Sequence, residues 1–226
     1  MKAINSPKLS KRLQAIYDLV PHSNVLADIG SDHALLPIAL VLNGKVTRAY
    51  ASEVNEGPYE ASVKNIEKYE VSNYVSAVLS DGISELGKDV NTISICGMGG
   101  SLIVDILEKD KDKLENVDTL VLEPNNNEET VRIWLMRNGF EVAFEKLIEE
   151  DGRYYEIIKA IKGNVKYSKE ELFFGPVLLK EKSDIFVNKW NNHRDYLMGV
   201  MKNINDKECS NYKILEFIVN LINNVI

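Results

Sequence analysis

Between residues 24 and 162, short apolar runs alternate with stretches whose apolar positions return every three to four residues. Asn24–Asp28 reads as a buried strand, and Leu35–Leu42 as the helix after it, with Pro37 tolerated in a first turn that does not need its amide proton. Val46–Glu53 is a second strand and Pro58–Tyr69 a helix. Tyr74–Leu79 alternates in period two, which predicts Val75, Ala77 and Leu79 on one face. Thr92–Cys96 and Asp118–Glu123 are further strands, followed by helices at Ser101–Leu107 and Glu128–Asn138, the second stopped at Gly139. The rhythm then changes. Phe140–Glu149 and Tyr154–Lys162 flank Glu150-Asp151-Gly152-Arg153, which predicts a hairpin in place of another crossover unit. The pattern as a whole predicts an α/β fold whose mixed sheet has a parallel core.

From Tyr167 onward every pattern is helical. Phe186, Trp190, Leu197, Met201 and Ile204 follow a seam-like spacing, as do Leu215, Ile218, Ile222 and Val225, with Asn205-Asp206 in the break between them. These spacings predict a helical hairpin with coiled-coil-like packing, its aromatic residues serving as core. The expected division is therefore residues 1–163 as an α/β domain and 164–226 as a helical domain.

Composition narrows the class. Of 226 residues, 45% are apolar, enough to bury a sizeable core. The longest apolar run, Ala34–Leu42, is far short of a membrane span and contains Pro37. With no apolar leader pattern near Met1, a cytoplasmic location without membrane attachment is expected. Two cysteines, Cys96 and Cys209, and three scattered histidines make no metal constellation. The net charge of −7 argues against a nucleic-acid partner only if charge is spread evenly. It is not, because Lys2, Lys8, Lys11 and Arg12 crowd the first twelve residues without an acid among them. That segment is either a phosphate-gripping patch or a solvated basic helix.

The chemistry gathers where strands end. Asp28-Ile29-Gly30-Ser31-Asp32-His33 follows the first strand, as a cofactor loop at the carboxyl edge of a sheet does. A pyrophosphate binder needs Gly-x-Gly-x-x-Gly, yet Asp32 and Leu35 stand at the second and third glycine positions. A carboxylate there repels pyrophosphate and tolerates a zwitterionic amino acid, with Asp28 facing an ammonium. That favours S-adenosylmethionine over a dinucleotide. Glu53, with Val54 beside it, lies where an acid can accept ribose hydroxyls. Asp81-Gly82 after the third strand can address an adenine edge, although Asp-Gly is also a plain turn. Cys96-Gly97-Met98-Gly99-Gly100 after the fourth strand leaves room for a close approach. Asn125-Asn126-Asn127, after Glu123-Pro124, offers amides to a base edge or a cap to the next helix.

These motifs, with Lys8-Leu9-Ser10-Lys11-Arg12-Leu13, Asn55, Gly57-Pro58 and Tyr155-Glu156-Ile157-Ile158, resemble the TrmK family of bacterial tRNA adenine-N1 methyltransferases over nearly the whole chain. The resemblance implies a class I Rossmann-like methyltransferase domain, a coiled-coil-like tail, S-adenosylmethionine as cofactor and adenine 22 of tRNA as target. It implies that Asp28, Gly30, Ser31, Asp32, His33, Glu53, Val54, Asp81, Gly82, Cys96, Gly97 and Met98 hold the cofactor. Asp28, His33, Cys96, Gly97 and Asn125 would border the reacting atoms, and Lys8, Lys11 and Arg12 would meet RNA, in a monomer. Glu123 departs from the Gln expected before Pro-Asn. Two rivals stand beside this reading: the same cofactor site serving a small molecule or protein, and a module that binds without catalysis.

Overall fold

A computed structural model describes residues 5–226. The strands are β1 (Ser23–Ile29), β2 (Val46–Glu53), β3 (Val75–Leu79), β4 (Thr92–Met98), β5 (Thr119–Pro124), β6 (Phe140–Glu150) and β7 (Arg153–Lys162), close to their predicted bounds. They form one sheet in the order β3-β2-β1-β4-β5-β7-β6. The first five members pair in parallel, and β7 runs antiparallel to both β5 and β6. The hairpin turns on Asp151 (φ 52°) and Gly152 (φ 72°), two left-handed residues that match the twist of the flanking strands.

Helices cover both faces because alternate strand residues on both sides are apolar. On one face α1 (Lys11–Leu19), α2 (Leu35–Leu42) and α3 (Glu56–Lys68) place Ile16, Ile38, Leu40 and Ile66 against Leu26, Ala49, Ala51 and Val121. On the other, α4 (Gly100–Lys109) and α5 (Glu128–Arg137) pack Ile103, Leu107, Val131 and Leu135 against Ala27, Ile95, Leu120 and Leu122. Ser10 caps α1 by accepting from the Leu13 amide. One strand departs from expectation: Val75 is buried, but Leu79 is 49% exposed where β3 runs out at the sheet edge.

After β7 the chain forms α6 (Lys169–Phe174), α7 (Leu178–Glu181), α8 (Asp184–Met201) and α9 (Ser210–Val225). Phe186, Trp190, Leu197 and Ile222 share a core with Phe174, Leu178 and Leu147 of β6, so the helical hairpin packs on the sheet's own hairpin. Ile204 falls beyond the end of α8. No helix among the described residues is long and apolar enough to cross a membrane.

A buried charge cluster ties this tail to the sheet. Arg132 of α5, fully buried, donates to Glu145 Oε1 of β6 at 2.8 Å and to Glu156 Oε2 of β7, and its third nitrogen donates to the Leu172 carbonyl at 3.1 Å. Glu145 Oε2 accepts the Val177 amide at 2.9 Å, and Lys189 of α8 donates to Glu156 Oε1 at 2.5 Å. Two cations thus meet two carboxylates with their remaining valences filled, the condition under which buried charge is tolerated. Burial pushes Glu145 upward and would push Glu156 upward too, but Lys189 and Arg132 hold Glu156 below the usual carboxylate range. Gly175 (φ +90°) is required here: a β-carbon would stand 2.6 Å from Glu145 Oε2 and 2.8 Å from Arg132 Nη2.

Arg132→Ala should lower unfolding free energy by about 3–5 kcal/mol in urea denaturation, because it strands two carboxylates in the core. A loss under ~1 kcal/mol would show that these acids pass to their neutral forms at little cost.

Candidate functional site

The strand order reverses between β1 and β4, and the crevice beyond the carboxyl ends of the strands at such a switch point is where open α/β sheets receive ligands. Asp28, Glu53, Ser80, Cys96 and Glu123 all end up along that edge, because the five parallel strands end in register there.

Asp28 is nearly buried, and its two oxygens accept from Ser31 Oγ at 2.5 Å and Ser94 Oγ at 2.6 Å. Burial pushes its carboxyl upward, and the two hydroxyls only partly offset this. An incoming cation would favour the charged form. Ser94 belongs to no motif, and its one signal in the sequence is a polar side chain inside the apolar strand Thr92–Cys96.

The loop after β1 is held in an unusual shape. Asp32 (φ 42°), His33 (φ 73°) and Ala34 (φ 57°) are three consecutive non-glycine residues in the left-handed region, following Gly30 (φ 67°). Each costs about 1 kcal/mol or more and persists only where neighbours over-determine it. Those neighbours are Glu53, whose Oε1 accepts the Asp32 amide at 2.6 Å, Asn65, which donates to the His33 carbonyl at 2.9 Å, and the fully buried Ala34 methyl. Glu53 therefore spends one oxygen on the loop, and burial pushes its carboxyl upward. The Ser52 carbonyl accepts the Gly30 amide at 2.9 Å and the Ser31 amide at 3.3 Å. His33 itself is half exposed, 3.4 Å from the Asp32 carboxylate.

Beyond β2 and β3, Val54 and Leu79 expose apolar side chains at the same edge. Asp81 is exposed and paired with Lys109 Nζ of α4 at 2.7 Å, while Gly82 is buried beside it. The Cys96–Gly100 loop packs closely against the Asn125 loop. A β-carbon on Gly100 would lie 2.5 Å from the Asn127 carbonyl oxygen, so only glycine permits this approach. Asn125 donates from Nδ2 to the Gly97 carbonyl at 2.7 Å, and its amide donates to Met98 O at 2.8 Å. Asn127 precedes α5 but makes no side-chain cap. Burial pushes the Cys96 thiol well above its ordinary range, with Asp28 and Glu123 adding repulsion, so the thiol form prevails and its weak contact is to the Val121 carbonyl.

Glu123 stands beneath this loop, fully buried. Its Oε2 accepts the Gly97 amide at 2.8 Å and faces Arg12 Nη1 at 3.4 Å, while Oε1 has no partner among the described residues. Desolvation, opposed by Arg12 and the Gly97 amide, pushes its carboxyl up to about 7. Of the N-terminal cations, Lys8 is exposed. Lys11 donates to the Glu149 carbonyl at 2.7 Å, and Arg12 also lies 5.1 Å from the Tyr155 ring centroid. Lys11 and Arg12 thus brace the hairpin and the site, and only Lys8 projects without a fixed partner among the described residues.

A carboxylate where a pyrophosphate binder needs bare backbone, in a strained turn at the switch point, places the chain among class I Rossmann-like methyltransferases. The family model described as TrmK, tRNA (adenine(22)-N(1))-methyltransferase, matches residues 26–224. The chain belongs to that family. It is 36% identical over 223 residues to the tRNA (adenine(22)-N(1))-methyltransferase of Bacillus subtilis, covering 94% of each chain. A Streptococcus pneumoniae protein solved in complex with S-adenosyl-L-methionine superposes with a TM-score of 0.90 at 39% identity, over 96% of this chain and 99% of that one. M. capricolum TrmK in complex with S-adenosyl-homocysteine gives a TM-score of 0.87 at 28% identity, over 96% of each chain.

The raised Glu123 carboxyl predicts a stability signature. Its folded value lies above the unfolded one, so its neutral form favours folding below about pH 4.5, and this contribution is lost as pH rises through about 7. Glu123→Gln should therefore gain on the parent by on the order of 2–3 kcal/mol between pH 5 and pH 8 in urea denaturation. Parallel pH profiles for the two proteins would contradict the burial argument.

Proposed function

We propose that this chain transfers a methyl group from S-adenosylmethionine to N1 of adenine 22 in tRNA. The observation that carries the reading is the buried Asp28 carboxylate and its strained turn at the switch point, within a chain that matches the family along nearly its whole length. The cofactor supplies an electrophilic methyl on a sulfonium. Asp28, Ser31 and the Gly30–His33 turn would take its amino-acid end, with Asp28 opposite the ammonium. The Glu53 oxygen not used by Asp32 is free to accept a ribose hydroxyl, and the exposed Val54 and Leu79 offer apolar surface to a purine. Asp81 would leave Lys109 or share it to reach the exocyclic amine, next to the Gly82 backbone.

Adenine N1 carries a free lone pair at neutral pH, so no residue has to remove a proton to create the nucleophile. What remains is positioning and charge accommodation, which can supply much of the barrier reduction. Asn125, its nitrogen committed to Gly97, keeps Oδ1 for an amine of the target base. The product ring is cationic, and an ionised Glu123 under the Gly97 loop favours it. Cys96 and Met98 would border the methyl, with Cys96 as wall and not nucleophile.

N1 lies on the pairing edge, so the target base must leave its stack. Lys8 would meet the phosphate backbone, whose contacts fix register more than sequence, while Lys11 and Arg12 hold its segment in place through Glu149 and Glu123. Residues 1–163 then bear the cofactor and 164–226 complete the RNA-facing side, in a cytoplasmic monomer.

Two measurements test this. Purified protein with labelled S-adenosylmethionine should methylate a transcript with adenine at position 22 and leave the guanine-22 transcript unlabelled; equal labelling of both overturns the assignment. Asp28→Asn should weaken S-adenosylmethionine binding in calorimetry at least about tenfold, the loss of a charge-assisted contact, with circular dichroism unchanged. Unaltered affinity would remove Asp28 from the site.

A further inference from the structure

A second cavity opens beside the Asn125–Asn127 loop, about 880 Å³ in volume, between that loop, the β6–β7 turn and α8. This is near the upper end of the roughly 300–1,000 Å³ found for small-molecule sites. It contains none of the residues from Asp28 to Asp81, so it lies outside the cofactor crevice and meets it at Asn125 and at Arg12, which faces Glu123.

Its wall is aromatic. Phe173 and Trp190 lie with ring centroids 5.2 Å apart, His193 meets Trp190 at 5.8 Å, and Tyr154 and Tyr155 come from the strand opposite. Trp190 is 5% exposed, and its indole N–H, buried, has no acceptor among the described residues. Proteins rarely leave such a donor unpaired, and this one belongs to a side chain that lines the cavity. The charges of the cavity are mostly spent internally: Lys189 on Glu156 and Glu128, Arg12 on Glu123. Arg153, at the hairpin turn, and Glu129, at the start of α5, are exposed and have no ion-pair partner among the described residues. A site gripping phosphate alone would keep its cations free. This one offers flat rings, amides, an indole donor and a single cation at the mouth, which is the chemistry of a stacked nucleobase with its phosphate outside.

We propose that this cavity is a second nucleotide subsite, which stacks a base flanking the target in the same RNA strand while Asn125 faces the target itself. The proposal rests on the reading above in taking RNA as substrate. It assigns the α8 face a role in substrate capture: by holding a neighbour, it draws the target base out toward the Cys96–Gly100 loop.

The chain has two tryptophans, so Trp134→Phe leaves Trp190 as the only indole reporter. In that protein, single-stranded hexa-adenylate should quench the fluorescence saturably, and ribose 5-phosphate should not. Trp190→Phe, which keeps an aromatic ring of smaller area and removes the N–H, should raise KM for tRNA about three- to tenfold, the scale of one hydrogen bond. Tyr154→Ala and Arg153→Ala should each raise it roughly tenfold, the scale of one stacked base or one phosphate contact. S-Adenosylmethionine affinity should not move in any of the three. Fluorescence unchanged across the hexa-adenylate titration, or KM within about twofold of the parent in all three variants, overturns the subsite. Ribose 5-phosphate quenching as well as hexa-adenylate also overturns it, in favour of phosphate binding alone. Loss of methyl transfer to the adenine-22 transcript in the parent, with quenching intact, removes the catalytic assignment and leaves the nucleotide subsite standing.

Discussion

The pairing of Arg132 with Glu145 and Glu156 is the contact on which the arrangement of this molecule turns. It joins α5, which starts at the Asn125 loop, to the two strands of the hairpin, and through Glu156 and Lys189 to α8. Remove any member and an unpaired charge is left in a core that cannot solvate it. The cost of burying four charges is offset only because all four are satisfied together, so the helices, hairpin and tail have one mutual arrangement instead of several. The aromatic cavity at α8 is a consequence: its floor is Trp190, the residue after Lys189.

The other half of the site is governed by strand ends. Five parallel strands deliver their carboxyl ends to one edge, and the two strongest features there are each a compromise with burial. Asp28 is desolvated and accepts two hydroxyls, a state suited to a cation that arrives later. Glu123 is desolvated with one oxygen unpaired, and it holds the Gly97 amide while leaning on Arg12. The strained Asp32–Ala34 segment fits the same logic, since its conformation is held by Glu53 and Asn65 from neighbouring elements. A methyl transfer to a ring nitrogen needs little acid–base chemistry, and the crevice accordingly offers rigid placement more than a proton relay.

Much of this could be read along the chain. Alternating and 3.6-residue patterns placed the strands and crossover helices, and the Asp28 loop lacked the glycines a pyrophosphate needs. The positions of Glu53, Asp81 and Cys96 at strand ends followed from the same alternation. What escaped were residues whose importance depends on partners far away in sequence. Ser94 has nothing local to connect it with Asp28, 66 residues away, and Arg132 has no neighbour in sequence that marks it for burial. Asp81 and Lys109, 28 residues apart, gave no sign that they would pair.

Glu145 marks the boundary most clearly. Strict alternation along β6 puts Phe140, Val142 and Phe144 on the inner face, with Glu145 outside. The register shifts between Val142 and Phe144, and from there every side chain changes face: Phe144 is 41% exposed and Glu145 is buried. Local sequence determined the order of elements, the hairpin turn at Asp151-Gly152 and the acidic loop, because propensity, periodicity and turn chemistry act over a few residues. Only the folded chain decided which charges go inside and which ring edges line a cavity. A carboxylate can be buried only where a partner from elsewhere in the chain has already been brought to meet it.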